Sequence, residues 1–433
     1  MVSSRHMLCG AAAVVRLLGH AHNAVAGKHE TRCCSIKPPA TSGKWNTLSG
    51  QWPQLVGHRG EKAFLPEHTV ASYWQAALEK ADYIEPDLTL TKDGHLVVNH
   101  NEWLGENTNV ASIPELAHLR TSKTWNDGGG NVTVANEWFV VDMTLEQIRK
   151  LRVHQDHKYP WRPAHFDGVF GLPTFEEYLQ TVRNVTQLLG RPYGAIPELK
   201  SPQLYNRGRS YPRYFEDRAL LVLEHYGWAT VNNVNRSAHA DLVLQTPLPV
   251  DGALGPRAVQ CFDLDTAEYL AQHSDVPVVA LVQSLPWVFT PGGLDRVASY
   301  AAILSPWKDF FVAGAEPYFR ASNITWDAAE IQNLGGFIQP TRLVAEAHKR
   351  NLALSPYTFY DSHQDRAYLC QTGGAKGFCP RSRQEELYYF FELGTDYLFV
   401  ENIVEATLLR SQFNDSLHSS KLTYPLSWCA HGP

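Results

Sequence analysis

The sequence predicts an α/β protein built on a parallel sheet, and three observations lead there. From Leu55 onward, short apolar segments with strand-like alternation recur, and amphipathic stretches of helical period fit between them. Ser or Thr caps, with Pro or Glu in the first turn, stand in front of several of those stretches and mark helix starts. With 433 residues, 44% of them hydrophobic and 11% aromatic, the chain can bury a large core.

In order, strands are expected at 54–58, 83–90, 95–100, 193–199, 258–263, 276–282, 301–305, 352–357 and 396–401. One helix is expected over Thr69 to Lys80, and another from Phe175, behind the Pro173-Thr174 cap. A third begins at Pro340-Thr341 and a fourth at Ser382, followed by Gln384-Glu385-Glu386-Leu387. Residues 104–172, with Gly128-Gly129-Gly130 and several tryptophans, do not read as one strand–helix unit and are expected to form an insertion.

The ends read differently. Residues 1–26 resemble a targeting segment: Arg5 and His6 precede an apolar run, and Ala24-Val25-Ala26 offers a small-x-small cleavage site. Arg5 and Arg16, with no acid before Glu30, also fit a mitochondrial presequence. Asn-x-Ser/Thr sequons at Asn131, Asn184, Asn235, Asn323 and Asn414 favour the secretory route, although chance supplies some in any long chain. Residues 27–52 are expected to be a flexible linker, 53–415 the folded domain and 416–433 a tail.

Charge and cysteine content narrow the class. Lysine and arginine number 38 against 44 acidic residues, a formal charge of −6 with no basic run, which speaks against a nucleic-acid partner. No apolar stretch of about 18 residues predicts a membrane-spanning helix, and nothing points to a protein partner. Of the seven cysteines, Cys370 and Cys379 bracket a polar, glycine-rich loop that a disulfide would close in an oxidising compartment. Cys261 falls in a predicted strand and reads as a buried filler.

Three blocks carry the chemistry: Gly57-His58-Arg59-Gly60, then Tyr83-Ile84-Glu85-Pro86-Asp87-Leu88, then Lys92-Asp93-Gly94 running to His100. Glu85 and Asp87 are two apart in a strand, so their carboxylates share a face. Two such groups are hard to desolvate together unless a cation lies between them. The pattern predicts a hard-metal site with acid–base histidines, His58 and His100, beside it. Taken singly, each histidine would read as a satisfied polar group at a strand end.

The order of these blocks resembles the glycerophosphodiester phosphodiesterase family, in its long periplasmic or secreted form. The resemblance covers roughly residues 54–410. It extends to Pro66-Glu67-His68-Thr69, Pro197-Glu198-Leu199-Lys200, Gln260-Cys261-Phe262-Asp263 and Pro356-Tyr357-Thr358. It implies a TIM (β/α)8 barrel with an insertion after the second strand. It also implies a small-molecule glycerophosphodiester substrate, such as glycerophosphocholine, and a Ca2+ or Mg2+ cofactor.

In that fold the site lies at the C-terminal ends of the strands. Glu198 would complete the metal site with Glu85 and Asp87. Arg59 and Lys200 would bind the substrate phosphate, unless Lys200 and Glu198 form an internal salt bridge. His68 reads as part of a helix start, Glu401 and Tyr357 as lesser site candidates, and His154 and His157 as surface residues. The sequence departs from the family at Asn101, where an aspartate is usual, and in the Gly105-Glu106-Asn107-Thr108 that follows. The alternatives are a phospholipase D- or sphingomyelinase-type enzyme on the same barrel, and a binding protein that has lost catalysis.

Overall fold

The computed structural model describes residues 44–127, 130–362 and 379–418, all within one compact unit that spans Thr41–Leu422. The targeting segment and Cys370 lie outside the described residues.

Eight parallel strands follow one another around a barrel. They are β1 (Gln54–Gly57), β2 (Tyr83–Ile84 and Asp87–Leu90), β3 (Gly194–Ala195 and Glu198–Leu199) and β4 (Val259–Cys261). Then come β5 (Val278–Val282), β6 (Ile303–Pro306), β7 (Ala353–Leu354) and β8 (Tyr397–Val400). β1 pairs with both β2 and β8, and parallel pairing continues from β2 through β7. The β7–β8 seam is bridged by Asp396 N–H donating to Leu354 O and Phe359 N–H donating to Phe399 O, both at 2.8 Å. Pro86 and Pro197 sit at the breaks in β2 and β3, where a residue without an N–H interrupts the ladder. Inside the barrel Val56, Tyr83, Ile196, Ala258, Val279, Ile303, Ala353 and Phe399 pack into one cluster, with a residue at each strand.

Each strand is followed by a helix: α1 (Val70–Leu78), α2 (Phe175–Leu189), α3 (Tyr214–His225), α4 (Leu264–His273), α5 (Pro291–Ala298), α6 (Leu343–His348), α7 (Arg383–Leu393) and α8 (Ile403–His418). Thr69 and Thr174 cap α1 and α2 with reciprocal side-chain bonds, and Ser382 caps α7, as the sequence signals predict. The expected 95–100 strand forms as Leu96–Val98, but it runs antiparallel to β2 and lies outside the barrel ring.

Between β2 and α2 the insertion builds a core of its own from Leu104, Val110, Leu116, Trp138, Val140, Met143, Ile148, Leu151 and Val153. It also carries an antiparallel hairpin, Thr121–Asn126 with Asn131–Glu137.

One expectation is corrected. The stretch from residue 44 to 52, read from its polar composition as linker, is docked on the barrel. Trp45 is buried, with ring centres 5.6 Å from Phe391 on α7 and 5.0 Å from Phe413 on α8. Leu48 N–H donates to Asp396 Oδ1 at 2.6 Å. A single large aromatic outweighs the polar residues around it.

Candidate active site

The turn after β1 is built to aim backbone at a carboxylate. Arg59 holds φ 60° and Gly60 φ 86°, and a Cβ at Gly60 would come within 2.4 Å of Ser72 Oγ on α1, so glycine is required. In this conformation the Arg59 N–H donates to Glu85 Oε2 at 2.8 Å. His68 and Ser201 also hold positive φ, at 56° and 38°. Left-handed non-glycine residues are uncommon and gather at functional sites.

The β2 and β3 ends bring Glu85, Asp87 and Glu198 together, with one oxygen from each within 4.8 Å of the others. Asp87 stands opposite Glu198 in the β2–β3 register. Asp87 Oδ2 accepts from His68 Nε2 at 2.8 Å and lies 3.4 Å from Arg59 Nε. Glu85 Oε1 accepts from Gln260 Nε2 at 3.1 Å.

The three carboxyls are unlike. Burial, with Asp87 and Glu198 alongside, pushes Glu85 well up, and burial pushes Glu198 up to about 8 against the pull of Lys200. Asp87 is also opposed by burial, but Lys200 and His68 outweigh it and hold it well below the usual range. Asp87 Oδ1 is buried without a hydrogen bond. An all-oxygen cluster that resists ionising together and leaves one acceptor orphaned fits a hard divalent cation.

His58 and His100 both line one cavity of about 830 Å³ with Arg59, Glu85, Glu198 and Lys200. Burial, then Lys62 and Arg59, lower His58 to about 3 against the pull of Glu401. Burial, then Arg59 and Lys200, hold His100 well below its ordinary value. Both rings are therefore neutral near pH 7. His58 Nδ1 lies 3.1 Å from Glu401 Oε1; facing a carboxylate it is the donor, which leaves Nε2 as the basic atom. Asn101 Nδ2 donates to Glu106 Oε2 at 2.7 Å, so the two departures from the family pattern bond to each other.

The expected phosphate-binding cations line the cavity already paired. Arg59 Nη1 donates to Glu67 at 3.0 and 3.2 Å. Lys200 Nζ lies 3.0 Å from Glu198 Oε1, the internal pair that the sequence leaves open. Across the cavity stands an aromatic wall from β4, β6 and β7. Tyr357 lies edge-on to Phe262 and Trp307, with ring centres at 5.7 and 5.6 Å, and Trp307 lies 6.4 Å from Tyr360.

Glu67, His68 and Arg162 were not picked out from sequence as members of the site, and Glu401 was only a lesser candidate. Pro66-Glu67-His68-Thr69 does start a helix, yet Glu67 and His68 also reach the centre through Arg59 and Asp87. Glu401, at the end of β8, is buried and receives His58, Lys62 Nζ at 2.7 Å and Arg162 Nη2 at 2.5 Å. The position of Glu401 after a strand was the only sequence signal for it. Arg162 lies in the insertion, where no periodicity marks a buried cation.

Barrel, carboxylate cluster and two imidazoles on one cavity fit the class that the relatives show, a phosphoric diester hydrolase. The glycerophosphoryl diester phosphodiesterase family profile matches residues 58–245. A glycerophosphodiester phosphodiesterase of Arabidopsis thaliana is 30% identical over 339 residues, 78% of this chain and 79% of that protein. One from Haemophilus influenzae is 25% identical over 346 residues, 75% of this chain and 85% of its own length. The chain belongs to the glycerophosphodiester phosphodiesterase family.

Solved structures agree on the fold. A glycerophosphoryl diester phosphodiesterase from Silicibacter pomeroyi superposes with a TM-score of 0.52 at 18% identity, covering 86% of this chain and 98% of that one. An Oleispira antarctica phosphodiesterase in complex with the product sn-glycerol-3-phosphate gives 0.50 at 14% identity, covering 84% and 99%.

Proposed function

We propose that the enzyme hydrolyses glycerophosphodiesters such as glycerophosphocholine to glycerol 3-phosphate and an alcohol, with Ca2+ or Mg2+ held by Glu85, Asp87 and Glu198. The observation that carries this reading is one cavity lined by Glu85, Glu198 and two neutral histidines. When bound, the cation supplies Lewis-acid polarisation of the phosphoryl oxygens. Arg59 and Lys200 border the same space beside those carboxylates and would bind the phosphate there.

The substrate hydroxyl next to the ester oxygen is held close to phosphorus and attacks it. The P–O bond to the alcohol breaks and a five-membered cyclic phosphate forms. His58 takes the proton of that hydroxyl at Nε2, because Glu401 at Nδ1 stabilises the imidazolium that results. His100, which the bound phosphodiester anion favours in its protonated form, delivers that proton to the departing alcohol, and the roles reverse when water opens the ring. The faces of Trp307 and Tyr357 suit a quaternary ammonium group by cation–π attraction, which supports a choline alcohol.

A substrate analogue lacking the attacking hydroxyl tests the route: it should bind and turn over poorly. Cleavage at the normal rate means that water attacks directly. A panel of glycerophosphocholine, lysophospholipid and sphingomyelin separates this activity from the phospholipase D- or sphingomyelinase-type alternative.

We also propose a secreted or luminal enzyme. Cys379 is disulfide-bonded, as an oxidising compartment allows. Among the described residues no helix is long and apolar enough to cross a membrane. Asn131, Asn235 and Asn323 are exposed, whereas Asn184 and Asn414 are half-buried on helices and Asn414 accepts a bond from Trp45. Glycosidase treatment of native protein should therefore shift its mobility, with the glycans at the three exposed sites and the mature chain beginning near Gly27. An intact Met1 without glycan points to another compartment.

A further inference from the structure

Arg162 belongs to the insertion, and its side chain is wholly buried. Nε and Nη2 donate to Asp361 Oδ2 and Oδ1, both at 3.1 Å, and the guanidinium lies 3.9 Å from the ring centre of Tyr159. Nη2 also reaches Glu401 Oε2 at 2.5 Å. The two oxygens of Glu401 are thus divided: Oε1 faces His58 Nδ1 at 3.1 Å and Lys62 Nζ at 2.7 Å, and Oε2 is held by Arg162.

A carboxylate held at one oxygen by an ammonium is neutralised but still free to rotate about its last bond. A clamped, planar guanidinium on the second oxygen removes that freedom. With the carboxylate plane set, Oε1 stays aimed at Nδ1, the proton stays on Nδ1, and the Nε2 lone pair stays in the cavity.

We propose that Arg162 is a positioning residue: by holding Glu401 it fixes the ring of His58, so that the insertion helps to set the catalytic geometry. The inference rests on the reading of His58 as a proton carrier. The plain rival is a salt bridge that only pins the insertion to the barrel. Such a bridge would affect stability and would have no reason to act through His58.

A double-mutant cycle on the full-length, metal-supplemented protein separates the two. Arg162→Lys keeps the charge but loses the fork, and should lower kcat about tenfold, the low end for partners that orient a catalytic group, with KM within about twofold. In a His58→Ala background the same replacement should change kcat by less than about twofold, because the ring that it positions is gone. Asp361→Asn, which loosens the clamp without removing the guanidinium, should show the same coupling at smaller size and decides the matter if Arg162→Lys does not fold. An equal loss in both backgrounds, or a raised KM at unchanged kcat, overturns the proposal and leaves His58 catalytic. A fully active His58→Ala overturns the catalytic reading itself.

Discussion

The two sides of the cavity are made of different chemistry and depend on different things. On the β1–β3 side, Glu85, Asp87, Glu198, Arg59 and His58 are held by ion pairs and hydrogen bonds at fixed distances, with Asp87 Oδ1 left as an orphaned acceptor. On the β4–β7 side, Phe262, Trp307, Tyr357 and Tyr360 meet at ring edges and faces. A charge network fails when one member is removed, because its neighbours are left buried and unpaired. An aromatic wall loses one surface and keeps the rest. The first side suits what all glycerophosphodiesters share, the phosphate, and the second suits what varies among them, the alcohol.

That contrast sets the order of expected effects. Excess chelator should abolish turnover, and a fully active chelated enzyme would remove the metal from the polar side. His58→Ala or His100→Ala should cut kcat by about two to four orders of magnitude, the usual reach of general acid–base catalysis. Two fully active alanine variants would show that the neutral rings are structural. Glu85→Gln, Asp87→Asn or Glu198→Gln should each cost at least about tenfold in activity, as loss of an anionic ligand does.

Trp307→Ala, on the aromatic side, should raise KM for glycerophosphocholine about twofold to thirtyfold, the range of one cation–π contact, while a glycerophosphodiester with an uncharged alcohol is little affected. Equal effects on both substrates would mean that the wall is only a core.

A last effect is on stability and not on turnover. His58 titrates at about 3 when folded against an ordinary value of 6.5, so the unfolded chain binds the extra proton first. The contribution of neutral His58 is complete above pH 6.5 and is lost as pH falls towards about 3. Thermal melts across that window should fall less steeply for His58→Asn than for the parent protein.

The same contrast explains what the sequence displayed. The strands show by local alternation, because each barrel strand is a short apolar run between polar turns, whereas their closure into an eight-strand ring was implied by the family resemblance alone. Residues two apart on such a strand, Glu85 with Asp87 and Glu198 with Lys200, share a face by the pleat alone, so their spacing was enough to pair them. Residues that meet through chain closure carry no such mark. His58 and Glu401 are 343 positions apart, and Arg162 and Glu401 are 239 apart, distances at which no periodicity survives. The helices α3, α4, α5 and α8 were not individually assigned, although Asp263 and Thr290-Pro291 cap α4 and α5 with the same kind of start signal read elsewhere. His68 read as a helix start because that role alone accounts for its block.

Trp45 gives the barrel a clock. The indole must wait for Phe391 and Phe413, and its Nε1–H for Asn414, which is 369 residues further along the chain. At a synthesis rate of about 5–20 residues per second, that interval is on the order of 20–70 s. Throughout it the first strand lacks β8, its neighbour on one side, and the tryptophan lacks its pocket. For those tens of seconds a large aromatic and a strand edge stay uncovered, the kind of surface that makes a growing chain prone to aggregate until the ring can shut.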